Sequence, residues 1–269
     1  MFSPYYRRAW RRGAAQAGEH CALNLCLYGP EPRWTMTERG GRHVEREARR
    51  MRIGPSELHW SDGGLEVEFD ERAAPLPRAM RGHLRLTPGV LSRYQASIDG
   101  EGRHRWGPIA PCARIELQLS HPRLHWKGDA YFDSNEGDEP IDRGFHTWDW
   151  MRAPLADGGT AVVYDVRPRA GGERVLARRF FPDGHVEPFA TPERQPLAGT
   201  GWRIARQVRS EAVPRVLRTL EDTPFYARSL VQTQLAGETV TGMHETLSAT
   251  RFAAPWVQAL LPFRMPRRA

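Results

Sequence analysis

The chain has 269 residues, a formal net charge of +7 and 40% hydrophobic residues, including nine tryptophans. This composition argues against a disordered chain, and the length suffices for one large domain or for two lobes with separate cores. The three cysteines, Cys21, Cys26 and Cys112, are odd in number and lack a Cys-x-x-Cys spacing. We therefore predict reduced thiols in a reducing compartment, without a disulfide framework.

The positive charge comes almost wholly from arginine, because Lys127 is the only lysine. A basic chain favours anionic surfaces, but no basic helix, zinc finger or RNA-binding motif accompanies the charge, so we predict no nucleic acid partner. No apolar run approaches the roughly 20 residues that span a bilayer, and the first residues do not resemble a secretory signal. We expect a cytoplasmic protein that is soluble or attached to a membrane peripherally.

Taken in chain order, the first half indicates a short N-terminal helix followed by β-strands. Residues 2–12 mix aromatic and arginine side chains in a way that is typical of a short surface helix. Residues 58–69 predict a hairpin, because Leu65, Val67 and Phe69 alternate with glutamates after a Gly-Gly turn. Further strands are predicted at residues 22–28, 34–38, 83–86 and 113–119.

Two short motifs place chemically capable side chains on strand-like backbone. The first is a His-x-Trp motif formed by His104 and Trp106, and the second is a Tyr-x-Asp motif formed by Tyr131 and Asp133. Residues two apart on a strand project to the same face, so each motif presents its two side chains together. If both faces line one cavity, an acid, an imidazole and two aromatic rings converge there.

An aspartate among aromatic walls loses hydration, which raises its pKa and lets Asp133 keep a proton near neutral pH. Aromatic faces attract cations by about 0.5–2 kcal/mol. Together these groups could protonate an unactivated alkene and hold the carbocation until water adds, with His104 orienting the water or returning the proton. The alternative is structural: Tyr131 packs in a core, Asp133 lies in a turn and His104 is a partly exposed turn residue.

The second half repeats the pattern of strands and glycine-rich turns. Short turns at close intervals indicate a meander that closes as a barrel or sandwich, so we predict an all-β fold with few short helices. Lobes are expected at residues 1–126 and 127–252, with the two motifs meeting in a cleft between them. The strands are predicted at residues 146–151, 160–166, 174–181, 229–235 and 239–248.

Three further residues, His146, Trp148 and Glu245, are candidates for contact with a substrate. His146 and Trp148 share a strand face, and Glu245 could face the same cavity. The alternative is that the first two are core or turn residues and that Glu245 faces solvent, where strand glutamates are more common. The segment after Asp133 resembles a calcium loop only superficially, because it lacks the required Gly and Glu positions, so we predict no metal site.

The last segment, residues 253–269, combines aromatic and aliphatic side chains with a cationic end. Such a segment either anchors shallowly in an anionic membrane surface or docks on its own fold. The sequence leaves both alternatives open.

Six separated motifs, most of them rich in aromatic residues, occur along the chain. They are Phe2-Ser3-Pro4-Tyr5-Tyr6, Cys21-Ala22-Leu23-Asn24, Tyr28-Gly29, Trp34-Thr35-Met36-Thr37-Glu38-Arg39, Asp133-Ser134-Asn135-Glu136-Gly137 and Phe145-His146-Thr147-Trp148-Asp149-Trp150. In this order they resemble the acyclic carotenoid 1,2-hydratases, or hydroxyneurosporene synthases, of photosynthetic bacteria. The resemblance extends from Phe2 to about Phe252.

The resemblance implies a tandem lipocalin-like β-barrel or sandwich fold. It also implies a cofactor-independent hydro-lyase that adds water to the terminal C1=C2 bond of acyclic carotenes such as neurosporene and lycopene. The functional His-x-Trp and Tyr-x-Asp motifs of that family match the two motifs described above, and we expect Trp106 and Tyr131 to face the cation. Peripheral association with the inner, photosynthetic membrane is expected as well.

A carotenoid or lipid carrier of the same fold is the alternative from another functional class, although a carrier needs no buried acid. Members of the family usually have a further N-terminal segment, rich in Gly, Trp and Tyr, before the Phe-Ser-Pro-Tyr-Tyr motif. Because this chain begins almost at that motif, we expect either a late start or a truncation that removes a strand of the first lobe.

Overall fold

The computed structural model describes residues 2–268, which form mainly antiparallel β-sheets with a few short helices. The chain divides into two compact units. Unit 1 comprises residues 1–88, 113–130 and 258–269, and unit 2 comprises residues 89–112 and 131–257. The predicted all-β fold class is confirmed.

The elements are numbered in chain order. The helices are α1 (Pro4–Arg11), α2 (Ile141–Gly144), α3 (Ala249–Phe252) and α4 (Pro255–Arg264). The strands are β1 (Leu25–Leu27), β2 (Arg33–Thr35), β3 (Glu38–Arg39), β4 (Val44–Arg46), β5 (Arg50–Ile53), β6 (Ser56–Ser61), β7 (Gly64–Arg72), β8 (Ala79–Pro88), β9 (Ala96–Ser97), β10 (His104–His121), β11 (Leu124–Gly137), β12 (Phe145–Pro154), β13 (Thr160–Pro168), β14 (Arg174–Phe180), β15 (Val186–Pro188), β16 (Arg194–Pro196), β17 (Gln207–Arg209), β18 (Arg215–Asp222), β19 (Tyr226–Leu235), β20 (Glu238–Ser248) and β21 (Arg267–Arg268).

Unit 1 is built on an antiparallel sheet in which β4, β5, β6, β7 and β8 follow one another, extended by the parts of β10 and β11 that belong to this unit. The predicted hairpin is confirmed as β6 and β7, with Val67 and Phe69 buried in the core. Its turn requires glycine at Gly64, because φ is +120° and a Cβ would lie 2.1 Å from the Leu86 carbonyl oxygen.

The C-terminal segment of unit 1 docks on its own fold. Strand β21 pairs in parallel with β3, and Arg267 contacts both Glu38 and His20. Leu261 and Met265 are buried. Of the two alternatives that the sequence left open for this segment, docking is the one that the structure contains. None of the helices between residues 2 and 268 has the length and apolar character needed to cross a membrane.

Unit 2 is built on a seven-stranded antiparallel sheet in the order β15, β14, β13, β12, β20, β19, β18. Strand alternation along β12 sends Trp148 and Trp150 to one face, and Asp149 and Met151 to the other. Met151 belongs to the aliphatic core of the unit. The opposite face therefore carries aromatic side chains, and we call it the aromatic face.

Two expectations differ from the structure. The predicted lobe boundary near residue 127 does not match the division into units, because His104 and Trp106 lie in the first part of β10, which belongs to unit 2 together with Tyr131. The structural alternative for Asp133 is wrong, since this residue lies within the 14-residue strand β11 and not in a turn. Both motifs therefore lie within unit 2, and not on either side of a cleft between two lobes as expected.

Candidate active site

The Asp133 carboxyl group is the centre of the site. Its Oδ2 accepts a hydrogen bond from Trp106 Nε1 at 2.8 Å and a second from the Tyr131 hydroxyl at 3.1 Å. Trp106 has no exposed surface, so its indole is fixed by packing as well as by this bond. Three of the four residues predicted as catalytic are thus joined through one oxygen atom.

Aromatic rings surround these three residues. The Trp106 ring lies edge-on to Tyr164 and to Tyr94, with centroids 5.4 and 5.9 Å away, and the Tyr131 ring lies 5.6 Å from Trp150. Such tilted and edge-to-face pairs add about 0.5–1.5 kcal/mol each to the effect of burial. The rings therefore hold the hydrogen-bond donors in place before any substrate binds.

Burial raises the pKa of Asp133, which the hydrogen bonds from Trp106 and Tyr131 partly oppose. The negative charge of Glu245 raises the pKa further. Burial also holds the pKa of Tyr131 well above its usual value, so this hydroxyl remains a donor. Because both donors use Oδ2, a proton on Oδ1 leaves both bonds intact, and the protonated acid is compatible with the observed geometry.

His104 lies apart from this centre. A Cβ on Gly137 would lie 2.8 Å from His104 Nδ1, and one on Gly144 would lie 2.5 Å from Nε2, so the imidazole rests directly on two glycines. Gly137 is four residues beyond Asp133 on β11, or roughly 13 Å along the strand. The structure therefore does not bring His104 to the Asp133 carboxyl group.

The imidazole of His104 has a separate acidic neighbour. Its Nε2 is 3.6 Å from Glu139 Oε1, and both atoms are buried without a hydrogen-bond partner among residues 2–268. Burial lowers the pKa of His104, which favours the neutral ring. The ring of Phe145 packs 4.6 Å away. His104 is thus a buried, packed residue and not the partly exposed turn histidine of the structural alternative.

The three predicted substrate contacts fall in different places. Trp148 lies on the aromatic face, with its ring 6.2 Å from that of Tyr164. Glu245 of β20 is directly opposite Trp150 of β12 in the sheet register and is half-buried. His146 is exposed, with Nδ1 3.4 Å from Arg169, and lies outside the group around Asp133.

Sequence reasoning missed Tyr164, Trp150 and Asn135 as members of the site. Tyr164 is buried in β13 opposite Trp150, and its hydroxyl donates to Asn135 Oδ1 at 2.9 Å. The available signal was alternation, since Asn135 is two residues beyond Asp133 and Trp150 is two residues beyond Trp148. The contacts of Tyr164 with Trp150 and Asn135 depend on the register between strands, which a local motif does not determine.

The arrangement is suited to delivering a proton among aromatic side chains. Tyr131, Asp133, Trp148 and Trp150 are half-buried, so part of each side chain remains exposed. A carboxyl group whose pKa is raised by burial can supply an acid, and indole and phenol faces attract positive charge. Among the described residues 2–268, no group of three or more His, Cys, Asp or Glu side chains is placed to hold a metal ion.

Comparisons with known proteins give a consistent result. The family model "Carotenoid hydratase CrtC" matches residues 1–269. A protein of Rubrivivax gelatinosus called acyclic carotenoid 1,2-hydratase is 55% identical over 276 residues, which cover all of this chain and 68% of that protein. A protein of Cereibacter sphaeroides with the same name is 35% identical over 271 residues, covering all of this chain and 95% of its own length.

A third relative and one solved structure extend this comparison. The acyclic carotenoid 1,2-hydratase of Thiocapsa roseopersicina is 49% identical over 99% of this chain and 67% of its own length. The crystal structure of a protein described as AttH from Nitrosomonas europaea superposes with a TM-score of 0.59, covering 81% of this chain and 76% of that chain. Sequence identity to it is 13%, so the likeness concerns the lipocalin-like fold alone.

Proposed function

This chain belongs to the carotenoid hydratase family, and from that premise we propose that it adds water to the terminal C1=C2 bond of an acyclic carotene such as neurosporene or lycopene. The observation that supports this reaction is the half-buried Asp133 carboxyl, whose pKa is raised by burial and whose Oδ2 is held by two donors. An isolated alkene is a weak base, so it needs an acid that keeps its proton until the substrate is in place.

In the proposed reaction, Asp133 transfers its proton to C2 of the terminal isoprene unit, and the C1=C2 π electrons form the new C2–H bond. The positive charge then lies on C1, a tertiary carbon. Water adds to C1, and the oxonium loses a proton to give the 1-hydroxy-1,2-dihydro product. Net consumption is one water, and no oxidant, reductant or cofactor enters the balance.

The donors to Asp133 contribute to both stages. When the proton leaves, the carboxylate that remains accepts charge-assisted hydrogen bonds from Trp106 and Tyr131, which are stronger than bonds to the neutral acid. The faces of the neighbouring aromatic rings stabilise the cation at C1. We assign His104 a positioning role, because it packs against Gly137 of the strand that carries Asp133.

A carrier of the same fold would need an apolar surface but not a fixed acid. The two donors that converge on a single carboxyl oxygen favour the enzyme, since a binding protein gains little from an aspartate held among tryptophan and tyrosine side chains. Membership of a hydratase family points the same way.

The experiment is incubation of the purified protein with lycopene in detergent, followed by chromatography and mass spectrometry of the pigments. We expect a more polar product that is one water heavier than the substrate, with the hydroxyl on C1. Retention of lycopene by the protein without any conversion would support the carrier instead.

We further propose that the protein acts at a membrane surface, where acyclic carotenes dissolve. The support is helix α4, on which Trp256, Leu260 and Phe263 remain 47%, 43% and 70% exposed. Aromatic and aliphatic side chains of this kind favour the interfacial region of a bilayer. Wild-type protein should sediment with vesicles that contain anionic lipid, and Phe263→Glu should lower the bound fraction several-fold. Equal binding of the two proteins would contradict this assignment.

A further inference from the structure

Glu245 is a second carboxylate on the aromatic face. Strand β20 places it opposite Trp150, and the Trp150 ring packs on Tyr131, which in turn bonds to Asp133. The charge of Glu245 is one of those that raise the pKa of Asp133, which means that the two carboxyl groups are within electrostatic range of each other. A neighbour of this kind has the position needed to act on the same substrate.

An ion pair fixes the Glu245 side chain. Arg228 of β19 is its register partner, and Arg228 Nε and Nη2 lie 2.9 and 2.8 Å from Glu245 Oε1. Both contacts use Oε1, so this ion pair does not occupy Oε2. Both side chains are only about a quarter exposed, at 26% for Arg228 and 21% for Glu245, so the carboxylate is oriented and also shielded from bulk solvent.

The proposed hydration needs an acceptor for the water that adds to C1. A base other than Asp133 can hold the water while Asp133 still carries its proton, since Oδ1 is then a donor and Oδ2 is engaged by Trp106 and Tyr131. Asn135 Oδ1 already accepts the Tyr164 hydroxyl. Glu245 Oε2 is a carboxylate oxygen on the same face that none of these bonds uses.

We infer that Glu245 is the catalytic base for water addition, a role that rests on the proposed function. Its Oε2 accepts a hydrogen bond from the water and takes the proton as the C–O bond forms at C1. The proton then passes from Glu245 to the Asp133 carboxylate through the new hydroxyl group or a water molecule, which restores both groups. General bases of this kind contribute roughly 10²–10⁴-fold to rate.

Reaction in D₂O separates the two steps. Without the base, the cation that Asp133 generates loses a proton back to the enzyme instead of gaining water, and deuterium enters the recovered carotene. For Glu245→Gln we expect hydration to fall by about 100-fold while deuterium exchange persists, so that the ratio of exchange to hydration rises at least about tenfold over wild type. Glu245→Asp, which keeps the charge but shortens the reach, should give an intermediate ratio.

The matched control is Glu238→Gln, which is half-buried on the same strand and accepts a hydrogen bond from the Ala156 amide instead of pairing with an arginine, and which should leave the ratio unchanged. Circular dichroism and Tm check that each variant folds, and Glu245→Asp carries the test if Glu245→Gln does not. Two results would overturn the role of Glu245: wild-type rates for both steps, or loss of exchange together with hydration. Wild-type protein that neither exchanges nor hydrates any acyclic carotene would instead overturn the proposed function and this inference with it.

Discussion

Unit 2 contains two aspartates with raised pKa values, one associated with each face of its large sheet. Asp133 lies among the rings of the aromatic face, and Asp149 of β12 is directed to the core face. Burial raises the pKa of both, that of Asp149 to about 7. By titration alone, Asp149 would be the more obvious acid.

Their partners differ in kind. Asp149 Oδ1 accepts the Thr246 hydroxyl at 2.5 Å and lies 3.7 Å from His244 Nε2, which donates to the Gln207 carbonyl oxygen at 2.8 Å. Burial lowers the pKa of His244 to about 4, so this ring is neutral. Asp149 and His244 are almost fully buried, whereas Asp133 is half-buried. A raised pKa therefore becomes useful for catalysis only where a substrate can reach the proton.

The largest expected effect separates the two residues by activity. Asp133→Asn removes the transferable proton but keeps an oxygen for Trp106 and Tyr131 to bond, so hydration should fall by about 10³-fold with little change in Tm. Asp149→Asn should leave hydration within about twofold, because its carboxyl is closed off from the aromatic face. Pigment chromatography on both variants measures this, and the reverse order of effects would show that the acid is misassigned.

A smaller effect is expected from Tyr131, which affects the pKa of Asp133. The hydrogen bond from Tyr131 lowers the pKa of Asp133, so Tyr131→Phe should raise it. Because the acid acts when protonated, activity is lost as pH rises through its pKa, and the alkaline limb of kcat/KM should move to higher pH. The maximal rate should drop roughly tenfold, since the carboxylate formed in the reaction loses a bond worth about 1.5 kcal/mol.

The control for this shift is Tyr5→Phe, which removes a hydroxyl that bonds the Met265 carbonyl oxygen in unit 1. Its pH profile should match that of wild type. An alkaline limb that moves to lower pH in Tyr131→Phe would mean that the hydroxyl does not stabilise the Asp133 carboxylate.

The sequence predicted much of the fold because alternation is local. The hairpin of β6 and β7 and the pair β19 and β20 follow from side chains that alternate between core and solvent on either side of a short turn. The division into units could not be predicted in this way. Strand β10 is 18 residues long, and a continuous alternating pattern does not reveal that its first part belongs to unit 2 and its second part to unit 1.

The candidate site, like the fold, was predicted only in part from the sequence. Each motif showed which side chains share a face, and the pairing of Trp106 with Asp133 agrees with that prediction. The sequence did not predict the separation of His104 from Asp133. That separation depends on how the segment from Asp133 to Gly137 packs against β10, and spacing within either motif does not determine this packing. Tyr164 was missed for the same reason, because its hydrogen bond to Asn135 depends on strand register.

The smallest effect on activity is expected at Asp149, whose ionisation instead changes the stability of the folded chain. The pKa of Asp149 is about 7 in the folded chain against 3.8 in a model peptide, so the folded state holds this proton more tightly. Below the pKa of the unfolded chain, Asp149 is protonated in both states and does not affect the free energy of unfolding. As pH rises from the unfolded pKa to the folded pKa, the free energy of unfolding falls. Above the folded pKa, the destabilisation by ionised Asp149 is complete. Replacing Asp149 with Asn removes this dependence.

Urea unfolding of Asp149→Asn and wild type at several pH values measures the difference. The stability of the variant relative to wild type should rise by about 4 kcal/mol from about pH 4 to about pH 8, since the folded and unfolded pKa values differ by about three units and one unit corresponds to about 1.4 kcal/mol. At pH values above the pKa of His244, its ring is neutral in both proteins. Its contribution to the free energy of unfolding is then the same in variant and wild type and cancels in the difference. A relative stability that is constant over this range would show that Asp149 is ionised in the fold, and the comparison with Asp133 would then rest on hydrogen bonding alone.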